Sequence, residues 1–249
     1  VLGVGFAGGE RLAGPVVIAD VMPRALATLA AGALPSGYAN ALRRYRPGPA
    51  TIKLDWALAG PIPWQFGEAR LAGTVHVGGT EHELLASVAV GDRLPERPFV
   101  LLGQQSIADP TRAPAGKHTA WAYARGPQAT DWTAARGRQV ERMEAQVERF
   151  APGFRDLILA RHVLAPADFQ RRNTNLIGGD VGGGSYSPDQ LFFRPVPRLV
   201  PYRTPVRGLY IASAATFPGG AVHGVAGAAA ARLALGAARI RRLDPRRGS

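Results

Sequence analysis

Cysteine is absent from the 249-residue chain, which excludes disulfides, thiolate metal sites and cysteine nucleophiles. Lysine is nearly absent as well. Only Lys53 and Lys117 occur, so the 30 basic residues are almost all arginine, and against 18 acidic residues they leave a net charge of +12. The longest apolar stretch, residues 221–238, is broken by His223 and Arg232 and is rich in Gly and Ala, a poor transmembrane span. His76, His82, His118, His162 and His223 show no i, i+4 or clustered spacing, so a metal site is not expected. Ser185 and Ser213 lack a G-x-S-x-G elbow, which leaves serine catalysis without support. No basic stretch is interleaved with aromatics, and nucleic acid is not expected as a partner. The remainder, 46% hydrophobic and 19% charged, is globular and long enough for one large domain or two smaller ones.

Gly3, Gly5 and Gly8 spell G-x-G-x-x-G, the pattern of a dinucleotide-binding turn. Such a turn needs a buried strand before it and a helix opening at its last glycine. Only Val1 and Leu2 precede Gly3, and Gly14 and Pro15 follow closely, neither suited to an early helix interior. Val4 and Phe6 instead follow a period of two into Ala7-Gly8-Gly9, which predicts a β-hairpin. Val16 to Ala19 reads as a buried strand, 23–31 as a helix, and Ser36 as the cap of a second helix through Tyr45. Residues 50–58 alternate, with Ile52, Leu54 and Trp56 on one face and Lys53 and Asp55 on the other, as in a sheet buried on one side.

Further strands are expected at 73–77, 99–104, 118–124 and 157–164. Thr80 and Glu83 have capping-box spacing and start a helix to about residue 90. A long helix over 131–150 carries Val140, Met143, Val147 and Phe150 at 3-4-3 spacing, and Pro166 opens another. Residues 173–205 are loop-dominated, and an irregular connection of that length is usually functional. Lys53 with Asp55, and Asp180 with nearby arginines, read as structural ion pairs or loop ligands. The arginine-dense tail over 239–247 suits nucleic acid or anionic lipid by charge alone, and a solvated, frayed end is the simpler reading.

The most informative unit closes the chain. Residues 208–235 read as a strand, a small-residue turn, Pro218-Gly219-Gly220, and a helix from about 221. Pro218 stiffens the entry, and Gly219 and Gly220 clear the backbone for a ligand. The first helical turn would offer unpaired N–H groups to an anion. Tight helix–sheet packing explains the same glycines and alanines equally well.

Thr216-Phe217-Pro218-Gly219-Gly220-Ala221-Val222-His223-Gly224-Val225-Ala226-Gly227 resembles the phytoene desaturase-like, FAD-dependent oxidoreductases related to amine oxidases. Members of that family carry Thr-His-Pro-Gly-Gly-Gly-Val and Gly-x-x-Gly near the C-terminus. The likeness extends along the chain: VVIAD (16–20) resembles the strand before hand-over to the substrate domain. Residues 42–64, LRRYRPGPATIKLDWALAGPIPW, resemble the substrate-domain entry. LIGGDVGGGSYSPDQLFFRP (176–195) resembles the loop that returns to the flavin.

The resemblance implies an α/β (α+β) fold. Parts of a Rossmann-like FAD-binding domain would lie at 1–22 and 196–249. A substrate-binding domain would occupy 23–195, with a mixed, largely antiparallel sheet and flanking helices. It implies FAD as cofactor, with Ser213, Ala214, Pro218, Gly219, Gly220, Ala221, Val222, His223 and Gly224 along the ribityl–pyrophosphate and isoalloxazine. Hydride would pass from an apolar, isoprenoid-like substrate to flavin N5, and no catalytic side chain is singled out. His223 reads either as a group near the flavin or as a polar residue at the helix start. Phe217 replaces the family's His, Ala221 its third Gly and Ser213 a Gly; if the third position needs positive φ, Ala221 costs about 1 kcal/mol.

The family's adenine-binding fingerprint lies near the N-terminus of longer chains, and nothing here supplies it. The chain is therefore expected to be a C-terminal half, completed by the rest of its polypeptide, a partner chain or a homo-oligomer. A non-catalytic relative acting as a binding or partner subunit is the alternative, and a basic anion-binding protein a third. The expected location is cytoplasmic, with peripheral membrane contact left open.

Overall fold

The computed structural model describes residues 1–88 and 93–243. The expected end of the helix at 80–90 and the last residues of the basic tail lie outside them. The chain divides into two compact units, 1–48 with 182–249, and 49–181.

The first unit opens on the expected hairpin. Strand β1 (Gly3–Gly5) pairs antiparallel with β2 (Arg11–Ala13), Val4 opposite Leu12. Gly9 N donates to Phe6 O and Phe6 N to Glu10 O, closing the turn. Gly3 has φ +145°, and a Cβ there would lie 2.1 Å from Leu12 O, so its glycine answers to the hairpin. Next come β3 (Val17–Ala19), α1 (Pro23–Leu29) and α2 (Ser36–Arg43). Pro35, not Ser36, occupies the N-cap of α2, and Ser36 makes no capping bond. The helix stops two residues short of Tyr45, because Pro47 steers Arg46 out of the helical region.

The second unit carries a five-stranded sheet in the order β5-β6-β7-β4-β8, formed by β4 (Ala50–Leu58), β5 (Thr74–Val77), β6 (Val100–Gly103), β7 (His118–Gly126) and β8 (Ile158–Leu164). Every pairing described in it is antiparallel, in keeping with the largely antiparallel sheet expected. Three helices, α3 (Glu81–Val88), α4 (Gln105–Ala108) and α5 (Trp132–Phe150), interrupt the strands, and α6 (Pro166–Arg172) follows them. Asp131 caps α5 by accepting from Thr133 N and Ala134 N. Ile52, Leu54, Trp56 and Leu58 pack with Met143, Val147 and Phe154 in one core, the Trp56 and Phe154 rings edge-on at 5.2 Å. Glu144 is buried in this apolar layer and accepts from Trp56 Nε1 at 3.0 Å and Arg161 Nε at 2.8 Å, so its charge is paired.

The chain then returns to the first unit through α7 (Pro188–Leu191), β9 (Leu209–Ile211) and α8 (Val225–Leu243). Strands β3 and β9 pair in parallel, Ile18 beside Tyr210. Leu209 and Ile211 face α1 and α2 in one cluster, whereas Tyr210 faces Ala230 and Ala234 of α8 in another. Helices thus cover both faces of a parallel pair, the α/β arrangement expected. Residues 23–48 and 182–195, assigned by sequence to the substrate-binding domain, pack with this unit because α1 and α2 bury Leu26 and Leu42 beside β9. Among the described residues no helix is long and apolar enough to cross a membrane.

The capping box at α3 gives a measurable consequence. Glu83 accepts from Arg97, Thr80 N and Arg149, which holds its carboxyl at about 2 against an ordinary 4.5. Because the folded-state value is the lower one, the box's contribution is complete above pH 4.5 and is lost as pH falls towards 2. A carbon-detected NMR titration is expected to place the Glu83 midpoint near 2 and to move it upward in Arg97→Ala. An ordinary carboxylate midpoint in the wild type would show that the box does not hold in solution.

Candidate functional site

Beyond β9 the chain is folded back by its own side chains. Ala212 N donates to Ala19 O, extending the strand pairing by one bond. Ser213 Oγ accepts from Ala215 N, and Ser213 O accepts from Thr216 N and Thr216 Oγ1 at 2.9 and 2.7 Å. Ser213 and Thr216 are buried, so serine at the position where the family has glycine fastens the turn. Gly219 N donates to Thr216 O, and Tyr202 Oη donates to Phe217 O. Pro218, Gly219 and Gly220 are covered or half-covered, Ala214 is exposed, and Ala221, Val222, His223 and Gly224 all lie open to solvent.

Helix α8 begins at Val225, four residues later than expected. Residues 221–224 form a turn in which His223 Nδ1 accepts from Val225 N at 3.3 Å. His223 therefore satisfies one of the free N–H groups at the helix start. Among the described residues none other than glycine has positive φ, so Ala221 carries none of the anticipated backbone cost.

What packs on this turn is the other glycine-rich segment. Gly183 has φ +80°, and a Cβ there would lie 2.5 Å from Ala214 Cβ. A Cβ on Gly220 would lie 2.3 Å from Gly182 O, and one on Gly219, where φ is +114°, 2.5 Å from Arg194 Nη1. Tyr186 Oη accepts from Gly220 N at 2.9 Å and donates to Gly220 O at 3.0 Å. Beneath it, Arg194 donates through Nε and Nη2 to Tyr45 Oη and through Nη2 to Gly183 O, and Tyr45 Oη donates to Gly183 O. The immediate demand for Gly219 and Gly220 is thus contact with the chain itself. Sequence reasoning marked the 176–195 loop but gave no site role to Tyr45, Gly183, Tyr186 or Arg194. The pairing of two glycine runs, 182–184 and 219–220, was the available signal.

In the second unit, the face of the sheet opposite α5 is polar and aromatic. Lys53 and Asp55 pair as expected, and His162 Nδ1 lies 3.9 Å from Asp55 Oδ2. Trp121 stacks on Tyr123 at 6.0 Å and lies so flat over Gly103 that a Cβ there would meet its ring at 2.5 Å. A cleft of about 640 Å³ runs beside Asp55, Gln105, Arg112, Thr119, Arg161 and His162. Asp180 is buried. No group of three metal-ligating side chains occurs among the described residues.

Comparison with known proteins gives relatives and a fold. The chain is 31% identical over 94% of its length to the rat pyridine nucleotide-disulfide oxidoreductase domain-containing protein 2, covering 43% of that protein. It is 29% identical over 70% of its length to the neurosporene-forming phytoene desaturase of Rhodobacter capsulatus, covering 36% of it. The chain therefore spans less than half the length of either relative. No family model matches. Among solved structures, a Methanosarcina mazei oxidoreductase aligns with TM-score 0.56 at 19% identity, over 90% of this chain and 44% of that one. A triple mutant of putrescine oxidase aligns with TM-score 0.57 at 16% identity, over 94% and 45%. These likenesses support an oxidoreductase family and, for the structures, the fold alone.

Alanine substitutions separate the glycines by function. Gly219→Ala and Gly220→Ala are each expected to destabilise the protein by about 1–3 kcal/mol through overpacking, read as a lower urea midpoint. Gly227→Ala, exposed on α8 with nothing within 4 Å of a new Cβ, is expected to stabilise by about 0.5–1 kcal/mol. Equal effects at the three positions would contradict the interlock.

Proposed function

We propose that this chain forms the turn lying along the flavin and the substrate-side sheet of an FAD-dependent oxidoreductase that removes hydride from an apolar, isoprenoid-like substrate. The observation that carries the reading is the interlock of residues 182–186 with 213–220 at the carboxyl end of a parallel strand. Ligands of α/β sheets bind at such ends. The fit to FAD rests on this structure's own features. Beside the seam, Ala214 and residues 221–224 are open to solvent and carry no side chain larger than His223, which leaves a flat cofactor room to approach. A buried guanidinium with one terminal nitrogen, Arg194 Nη1, lacking a protein partner lies against Gly219. The relatives support the same reading through the phytoene desaturases.

In this reading Gly183, Gly219 and Gly220 lie along the cofactor, with Ser213, Ala214 and Pro218 fixing the bend. Ala221, Val222, His223 and Gly224 follow it towards the start of α8. FAD, when bound, supplies the hydride acceptor. The chain's own work is then to hold, orient and exclude water, which accounts for the lack of an acid–base constellation. The stacked Trp121 and Tyr123 present apolar surface on the open sheet face, and Lys53, Asp55 and His162 set a polar margin beside it. The adenine-binding fingerprint comes from the remainder of the polypeptide or from a partner chain.

The test uses protein expressed from the complete reading frame. It is expected to purify yellow with a flavin spectrum, and anaerobic addition of an isoprenoid polyene is expected to bleach that spectrum. Colourless protein that takes up no added FAD overturns the reading and favours a non-catalytic partner subunit.

A further inference from the structure

Arg194 is fully buried, and among the described residues no carboxylate pairs with it. Its acceptors are neutral: Tyr45 Oη at 3.1 Å from Nε and 2.5 Å from Nη2, and Gly183 O at 2.7 Å from Nη2. The guanidinium lies 4.7 Å from the Tyr186 ring centroid and 5.9 Å from that of Tyr45. Nη1 has no hydrogen-bond partner and faces the turn, at 2.5 Å from the place a Cβ of Gly219 would take. Arginine cannot shed its proton inside a protein. A buried cation without a counter-ion is costly, and phenol oxygens, carbonyls and ring faces offset that cost only in part. If mechanical fastening were all that was required, Tyr186 already ties the two segments through both polar groups of Gly220.

We infer that Arg194 is a positioning residue whose charge, set behind the 213–220 turn, balances an anionic group of the cofactor across that turn. The inference rests on the FAD reading above. Two groups of FAD share this chemistry, the pyrophosphate and the flavin ring in its reduced, anionic form. Arg194 Nη1 lies against Gly219, and once a bound cofactor excludes water from the outer side of the turn, the field of the guanidinium acts across that residue with reduced screening. Tyr45 and Tyr186 hold the charge in place, and the lack of a side chain on Gly219 lets it lie there.

The experiment compares wild type with Arg194→Lys, Arg194→Met and Tyr45→Phe in the complete protein. It measures the dissociation constant of oxidised FAD by fluorescence, the two-electron midpoint potential, and the melting temperature of the apoprotein. If the pyrophosphate is the balanced group, Arg194→Met weakens oxidised FAD by roughly tenfold or more, the scale of a lost charge-assisted interaction, with the potential unchanged. If the reduced ring is the group, oxidised FAD binds within about threefold of wild type while reduced FAD weakens roughly tenfold, a fall of about 30 mV in the potential. Arg194→Lys and Tyr45→Phe keep the charge and stay within about threefold in both quantities. Arg194→Gln, which keeps polar groups without charge, takes the place of Arg194→Met if the latter does not fold. Neutral variants that match wild type in both quantities overturn the inference, as do Lys and Met variants that lose equally. A wild-type protein that binds no FAD overturns the FAD reading, an outcome seen before any variant is compared.

Discussion

Contact between two glycine backbones is the constraint on which the first unit depends. Gly182 O occupies the space a Cβ of Gly220 would need, and Ala214 stands where a Cβ of Gly183 would. Any side chain in that seam pushes the segments apart by more than a hydrogen bond tolerates. Tyr186 would then lose both bonds to Gly220, and Arg194 would lose its seat against Gly219. Residues distant in sequence, Tyr45 at the end of the α2 segment and Arg194 beyond α7, meet only because the seam is closed.

The second unit has a different logic. Its sheet and α5 bury an apolar layer in which the carboxylate of Glu144 is matched to Trp56 and Arg161. That packing holds the opposite face of the sheet flat enough for Trp121 to rest on Gly103. A rigid platform of strands bearing half-exposed aromatic and polar groups is a better surface for selecting a substrate than a set of loops. The rigidity lies in the core, and the half-exposed polar and aromatic groups lie on the open face.

Much of this was legible in residue order. Alternation in 50–58, the Thr80–Glu83 spacing, the 3-4-3 pattern of α5 and the hairpin at the start all report interactions between near neighbours. The hairpin also disposes of the G-x-G-x-x-G coincidence, since Gly3 is required by Leu12 O across the turn. The limits of α2 and α8 were misjudged because Pro35 took the capping place expected of Ser36, and because residues 221–224 turn before the helix begins. The roles of Gly219 and Gly220 were half legible: the need for glycine was clear, the atoms demanding it were not. Arg194 and Tyr45 were not legible at all. They are 149 positions apart, and no local period marks a buried arginine.

The central claim is that the seam of 182–186 against 213–220 is a cofactor surface as well as a packing device. Hydrogen–deuterium exchange on the complete protein, with and without FAD, addresses it directly. The account predicts that amides of both segments gain protection together when FAD is added, those of Gly183 and Gly219 foremost. Protection gained elsewhere while both segments exchange unchanged would contradict it.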